Sequence, residues 1–181
     1  MTLFEAIAER YSYRGAYKND TVPREDLKKI LEAGLAAPSG CNAQTTYLVG
    51  IDNQDTLKKV LTILGKQSLS SLSAGIFVIS HVIPSYKDSY FNIQDYSAAI
   101  ENMLLAITDL GYASCWIEGE ITTDKERQRA FSELLEVPNG YEVVAFLPVG
   151  IPVSPGKRAI HKAFDERAFF NSFKKIKCRH R

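Results

Sequence analysis

Apolar positions recur along this chain with two spacings, every three to four residues and every second residue, and these divide it into helical and extended segments. Leu3, Ala6 and Ile7, preceded by Thr2 as a hydroxyl N-cap, predict an amphipathic helix ending near Arg10. A second helix is expected from Thr21-Val22-Pro23, the acids Glu25 and Asp26, and then Leu27, Ile30, Leu31 and Leu35. Here a hydroxyl cap, a first-turn proline and acids at the positive helix end act together, and Pro38 sets the limit. Leu57, Val60, Leu61 and Leu64 share one face of a predicted helix over 52–65. A further helix is read over 123–135, with an N-cap and an acid-rich first turn, and a helix-like run over 164–173. Extended segments are read at 45–51, 74–83, 112–117 and 141–149; the second, bounded by Gly75 and Pro84, has the unbroken apolar character of a buried strand.

The longest helical signal runs from Asn92 to Leu110. Ile93, Tyr96, Ile100, Met103, Leu104, Ile107 and Leu110 keep helical spacing, while Ala98, Ala99, Leu105 and Ala106 fill most of the remaining circumference. A helix apolar on nearly every side is covered on both sides, either inside a monomer or by a sheet on one side and a second subunit on the other. Gly111 is placed to end it.

Composition changes this picture little. A chain of 181 residues, 45% hydrophobic and 24% charged with a net charge of +1, suits one domain and does not suit a polyanion partner such as nucleic acid. No apolar run approaches the roughly 20 residues that span a bilayer, and Met1 to Tyr11 lacks a signal-peptide pattern, so a cytoplasmic protein is expected. Cys41, Cys115 and Cys178 are odd in number and lack Cys-x-x-Cys spacing, which suggests neither a disulfide framework nor a metal site. Cys41 and Cys115 read as small buried fillers, and His81, His161 and His180 as non-catalytic.

The chemistry is concentrated in a few short stretches. Arg10-Tyr11-Ser12-Tyr13-Arg14 sets two guanidiniums four residues apart around a hydroxyl, a donor set suited to phosphate; alone, it also suits a solvated turn. Ala36 to Gln44 is a loop of small and amide residues that lets backbone approach a flat ligand, or simply connects a helix to a strand. Glu118-Gly119 stands where an exposed backbone N–H is natural, and Pro155-Gly156-Lys157-Arg158 returns two cations on a turn. The basic run 174–181 reads as a frayed tail.

Taken in order, these stretches resemble the flavin-dependent nitroreductases. The resemblance covers Met1 to about Ala163 and rests on Arg-x-Ser-x-Arg at 10–14, Val-Pro-x-Glu-x-Leu at 22–27 and Ala-Pro-Ser-Gly-x-Asn-x-Gln at 37–44. Asp95 on the central helix, Ile-Glu-Gly at 117–119, and Pro-Val-Gly-Ile-Pro with Lys157 and Arg158 beyond it complete the set. It implies an α+β fold, a mixed, mainly antiparallel central sheet flanked by helices with a long buried central helix, and an FMN site shared across a homodimer. By the same resemblance Arg10, Ser12 and Arg158, helped by Lys157, would hold the FMN phosphate, Tyr11 would belong to the cofactor site, and Arg14 would lie by the pyrimidine edge of the ring. Pro38, Ser39, Gly40 and Asn42 would come from the other subunit, Glu118 and Gly119 would set a backbone N–H near flavin N5, and Gln67 would reach the opposite edge. Thr45-Thr46 replaces an aromatic position common in the family, and the short 84–91 segment leaves little room for a substrate-covering insertion.

The implied activity is a ping-pong transfer of hydride from NADH or NADPH to a small acceptor such as a nitroaromatic or quinone. No Gly-x-Gly-x-x-Gly follows a strand, so the nicotinamide would be a transient visitor. Two alternatives stay open: a flavin carrier or sensor without turnover, and the same fold put to other flavin chemistry.

Overall fold

The computed structural model describes residues 1–173; the basic run 174–181, with Cys178 and His180, lies outside them. Its helices are α1 (Leu3–Glu9), α2 (Arg24–Leu35), α3 (Gln54–Leu64), α4 (Asn92–Asp109), α5 (Gly119–Thr122), α6 (Lys125–Leu134) and α7 (Phe164–Arg167). Strands β1 (Thr46–Ile51), β2 (Ala74–His81) and β3 (Tyr141–Val149) form one antiparallel sheet in the order β1-β2-β3. This is the α+β arrangement expected.

The sheet is covered on both faces, which explains its unbroken apolar central strand. Along β2 the side chains alternate: Phe77 and Ile79 enter a core with Leu57, Val60, Phe131 and Phe146, beneath α3 and α6. Ile76 and Val78 enter a second core with Ile30, Ile100, Met103 and Ile107, under α2 and α4. Val78 pairs with Ala145 but Ile79 with Val143, so Val144 is an extra residue in β3. The bulge lets Val144 and Ala145 share the α2 and α4 side, which strict alternation forbids. Gly75 is required where it stands, because any side chain there would enter the Phe146 ring.

Helix ends follow local chemistry. Thr2 and Glu5 form a reciprocal capping box at α1. Asn53 caps α3, which closes on Gly65 at φ 67°. Several expectations need correction. α6 begins at Lys125 rather than 123, capped by Asp124, and α2 begins after Pro23 as N-cap with no side-chain cap. Residues 112–117 form no strand; they meet the sheet through isolated bridges, Ala113 to Gly150 and Ile117 to Phe146. The helix-like run 164–173 shrinks to the single turn of α7. Cys41 is exposed, whereas Cys115 is buried as expected. Of the apolar face of α1 only Ala6 is covered; Leu3, Phe4 and Ile7 face outward, as does Ile93 of α4.

Two half-buried carboxylates tie α2 to its surroundings. Asp26 accepts from Lys29 at 2.8 Å and from the Tyr112 hydroxyl at 2.9 Å. Asp52 takes both arms of the Arg24 guanidinium, at 2.6 and 2.7 Å. Hydrogen bonding from Lys29 and then Tyr112 holds the Asp26 carboxyl below its ordinary value, and Arg24 does the same for Asp52. Groups depressed in this way stabilise the fold fully above the unfolded carboxyl pKa of about 4. That contribution is lost as pH falls through the lower folded value. Solvent screening keeps each contribution small. Calorimetric melting from pH 6 downward should therefore show the D26N/D52N double variant losing less Tm below about pH 4 than the parent protein. Superimposable profiles would contradict this.

Candidate functional site

The segment after α1 behaves like a strand. Ser12 bridges Ser114 in parallel, and the Tyr13 N–H donates to the Ser114 carbonyl at 2.7 Å. Tyr13 turns into the core, edge-on to Tyr17 at 5.1 Å, so its neighbours Ser12 and Arg14 must point outward. The returning chain is fixed at Gly156, which passes so close over the Tyr11 ring that no side chain fits there. That contact delivers Lys157 and Arg158 to the end of α1. The result is a cavity of about 570 Å³ lined by Ile7, Arg10, Tyr11, Ser12, Arg14, Lys157, Arg158 and His161. In it Arg10 meets Glu101 at 3.2 Å and Arg158 pairs with Glu9. Guanidinium, ammonium and hydroxyl donors from two distant parts of the chain thus face one space, and they fit a phosphate dianion, which accepts several charge-assisted hydrogen bonds at once.

A second cavity, of about 330 Å³, adjoins this segment. Tyr13, Arg14, Lys66, Ser68, Cys115, Trp116, Glu118, Gly119 and Glu120 line it. Arg14 lines both cavities. Glu118 accepts the buried Tyr96 hydroxyl at 2.8 Å, and burial first, then Glu118, raise that phenol far above its ordinary pKa. Lys66 and Glu120 pair at 2.7 Å. Open space lies over the Gly119 Cα, and its N–H donates to no group among the described residues. Burial raises the Cys115 thiol against the opposing pull of Arg14 and Lys66, so it stays protonated at neutral pH and acts as packing.

The remaining predicted residues lie elsewhere. Pro38 and Ser39 line a separate, larger cavity of about 760 Å³ with Leu31, Leu35, Tyr47 and Tyr141. Gly40 and Asn42 belong to a short turn beside it. Gln67 opens the turn Gln67–Leu69, but its neighbours Lys66 and Ser68, not Gln67, face the second cavity. Within one chain, then, Arg10, Tyr11, Ser12, Arg14, Lys157 and Arg158 come together, Glu118 and Gly119 adjoin them through Arg14, and the 38–42 loop does not join them. Sequence reasoning missed His161, Lys66 and Trp116. For His161 the signal available was its place three residues after Arg158 on the same returning segment. Among the described residues no cluster of His, Cys, Asp and Glu could hold a metal ion, and no helix is long and apolar enough to cross a membrane.

Known proteins place this geometry in context. A protein of Archaeoglobus fulgidus, named for NADH dehydrogenase/NAD(P)H nitroreductase, is 34% identical over 137 residues, 75% of this chain and 78% of its own. Among solved structures, the FMN-dependent nitroreductase of Clostridium difficile R20291 superposes with a TM-score of 0.76 at 27% identity, over 94% of this chain and 99% of that one. A Parabacteroides distasonis protein with a similar nitroreductase name shares the fold, with a TM-score of 0.80 at 23% identity over 94% of this chain and 98% of that one. The sequence profile described as Nitroreductase family matches residues 7–79 and 72–151. With most of its length so matched, this chain belongs to the nitroreductase family.

Proposed function

We propose that this protein is an FMN-dependent oxidoreductase that passes hydride from NADH or NADPH to a small organic acceptor, such as a nitroaromatic or quinone, in a ping-pong cycle. One observation carries the reading: Arg14 lines both the cation-rich cavity and the cavity beside Glu118-Gly119. A ligand with a phosphate at one end and a flat ring at the other needs two adjoining spaces of this kind. When bound, FMN supplies the two-electron chemistry, and the protein supplies binding, orientation and electrostatics.

Arg10, Ser12, Lys157 and Arg158 would hold the phosphate, exchanging Glu9 and Glu101 for a stronger anionic partner. Arg14 would place fixed positive charge at the pyrimidine edge, where it favours an electron-rich ring. The N–H of Gly119, without an acceptor among the described residues, would donate to the ring edge near N5, and the bond from Tyr96 would keep the Glu118 carboxylate from turning into that space.

A homodimer with shared flavin sites completes the proposal. Phe4 is 82% exposed, and Ile160, Phe170 and Phe173 are 101%, 76% and 81% exposed, apolar surface of a kind that a second copy would cover. In such a pair, Pro38, Ser39, Gly40 and Asn42 would reach the partner's flavin, and Gln67 would approach the far edge of its own.

Anaerobic mixing of FMN-loaded protein with NADH or NADPH tests the reading. Bleaching of the oxidised-flavin band, reversed by adding a quinone after the oxidised nicotinamide has been removed, is expected. A protein that binds FMN but bleaches with neither nucleotide would be a carrier or sensor instead.

A further inference from the structure

Asp95 is 4% exposed, a burial that an ionisable side chain tolerates only with good partners. It stands in the first turn of α4, where the helix dipole favours a carboxylate. Both its oxygens are engaged. Oδ1 accepts the Gly40 N–H at 2.7 Å, and Oδ2 accepts the Thr45 hydroxyl at 2.6 Å. The carboxylate therefore clamps the turn Gly40–Asn42 at its start and again just before β1.

Between those anchors the backbone is unusual. Cys41, Asn42 and Gln44 have φ of 50°, 55° and 50°, the left-handed region that side chains other than glycine seldom enter. Such a run persists only where surrounding contacts over-determine it. Ser39 adds one more contact, its hydroxyl accepting the Gln44 N–H at 3.0 Å.

We propose that Asp95 is a positioning residue: it holds the 39–45 loop in this shape so that Ser39 and Asn42 are presented toward the flavin of a second copy of the chain. This rests on the flavin reading given above. The loop is thus set by the central helix, before any ligand arrives.

Hydrogen exchange and FMN titration together test it. D95A removes both anchors, whereas D95N keeps an oxygen for the Gly40 N–H and an N–H for the Thr45 hydroxyl. In apo D95A the amides of residues 40–45 should exchange roughly tenfold faster or more, with β2 amides unchanged. Its FMN Kd should rise by about tenfold while D95N stays within about threefold on both counts. If D95A fails to fold, T45V, which removes one anchor at constant shape, should move both readouts in the same direction. Unchanged exchange in the loop, or a loosened loop that still binds FMN as tightly as the parent, would overturn the proposal. Parent protein that takes up no FMN would instead sink the flavin reading itself.

Discussion

Replacing Arg10 with alanine is expected to weaken FMN binding by roughly 10- to 150-fold, since a hydrogen bond to a charged group contributes about 1.5–3 kcal/mol and each 1.4 kcal/mol is tenfold. Arg10 is the cation of the pocket least free to be substituted. Its side chain is 28% exposed, and its only described acid partner, Glu101, sits on α4 at 3.2 Å. Removing the guanidinium would leave Glu101 unneutralised beside an arriving phosphate, so repulsion adds to the lost attraction. Lysine at this position restores charge without the planar fork, and R10K should fall between the two. Flavin fluorescence quenching on titration measures all three. A Kd for R10A equal to that of the parent would mean that the phosphate is held elsewhere.

The second large effect is on stability. Phe77 is fully buried, with Phe131 and Phe146 at ring separations of 4.8 and 4.7 Å, and it lies on the central strand. Truncation to alanine should cost about 3–5 kcal/mol, because the rigid sheet collapses little into the space left behind. Against a typical domain stability of about 5–15 kcal/mol this is a large fraction. At about 2–4 °C per kcal/mol for a chain of this size, Tm should drop by roughly 6–20 °C. Urea unfolding should show a lower midpoint with an unchanged slope. A loss below about 1 kcal/mol would mean that this core is plastic rather than close-packed.

Elements whose signals are local were legible in the sequence. β3 runs over Tyr141–Val149 as its apolar run broken at Gly150 indicates, and α3 lies between Asn53 and Gly65, whose cap and left-handed φ act within a few residues. What failed depends on distant partners. Residues 112–117 have strand-like composition, but they meet three different partners through isolated bridges, Ala113 with Gly150, Ser114 with Ser12 and Ile117 with Phe146, so no ladder forms. The apolar face of α1 signals burial correctly as chemistry, yet the described residues leave Leu3, Phe4 and Ile7 exposed. At the candidate site, the convergence of Arg10 and Ser12 with Lys157 and Arg158 could be anticipated only through resemblance to a family. No periodicity relates residues about 150 positions apart. Lys66 was invisible because a lone lysine between two elements looks like any solvated one, and His161 could be suspected only from its place three residues after Arg158. Asp95 entered as one of the residues that carry the resemblance, without a role; that it is buried and doubly bonded emerges only from the packed α4.

The cation-rich cavity is built from residues 7–14 and 157–161. During synthesis its first half leaves the ribosome long before its second half exists, and at about 5–20 residues per second the interval is many seconds. Loading with FMN is in this view a late event: a nascent polypeptide halted anywhere short of Arg158 should remain colourless, and pigment acquisition would report completed translation.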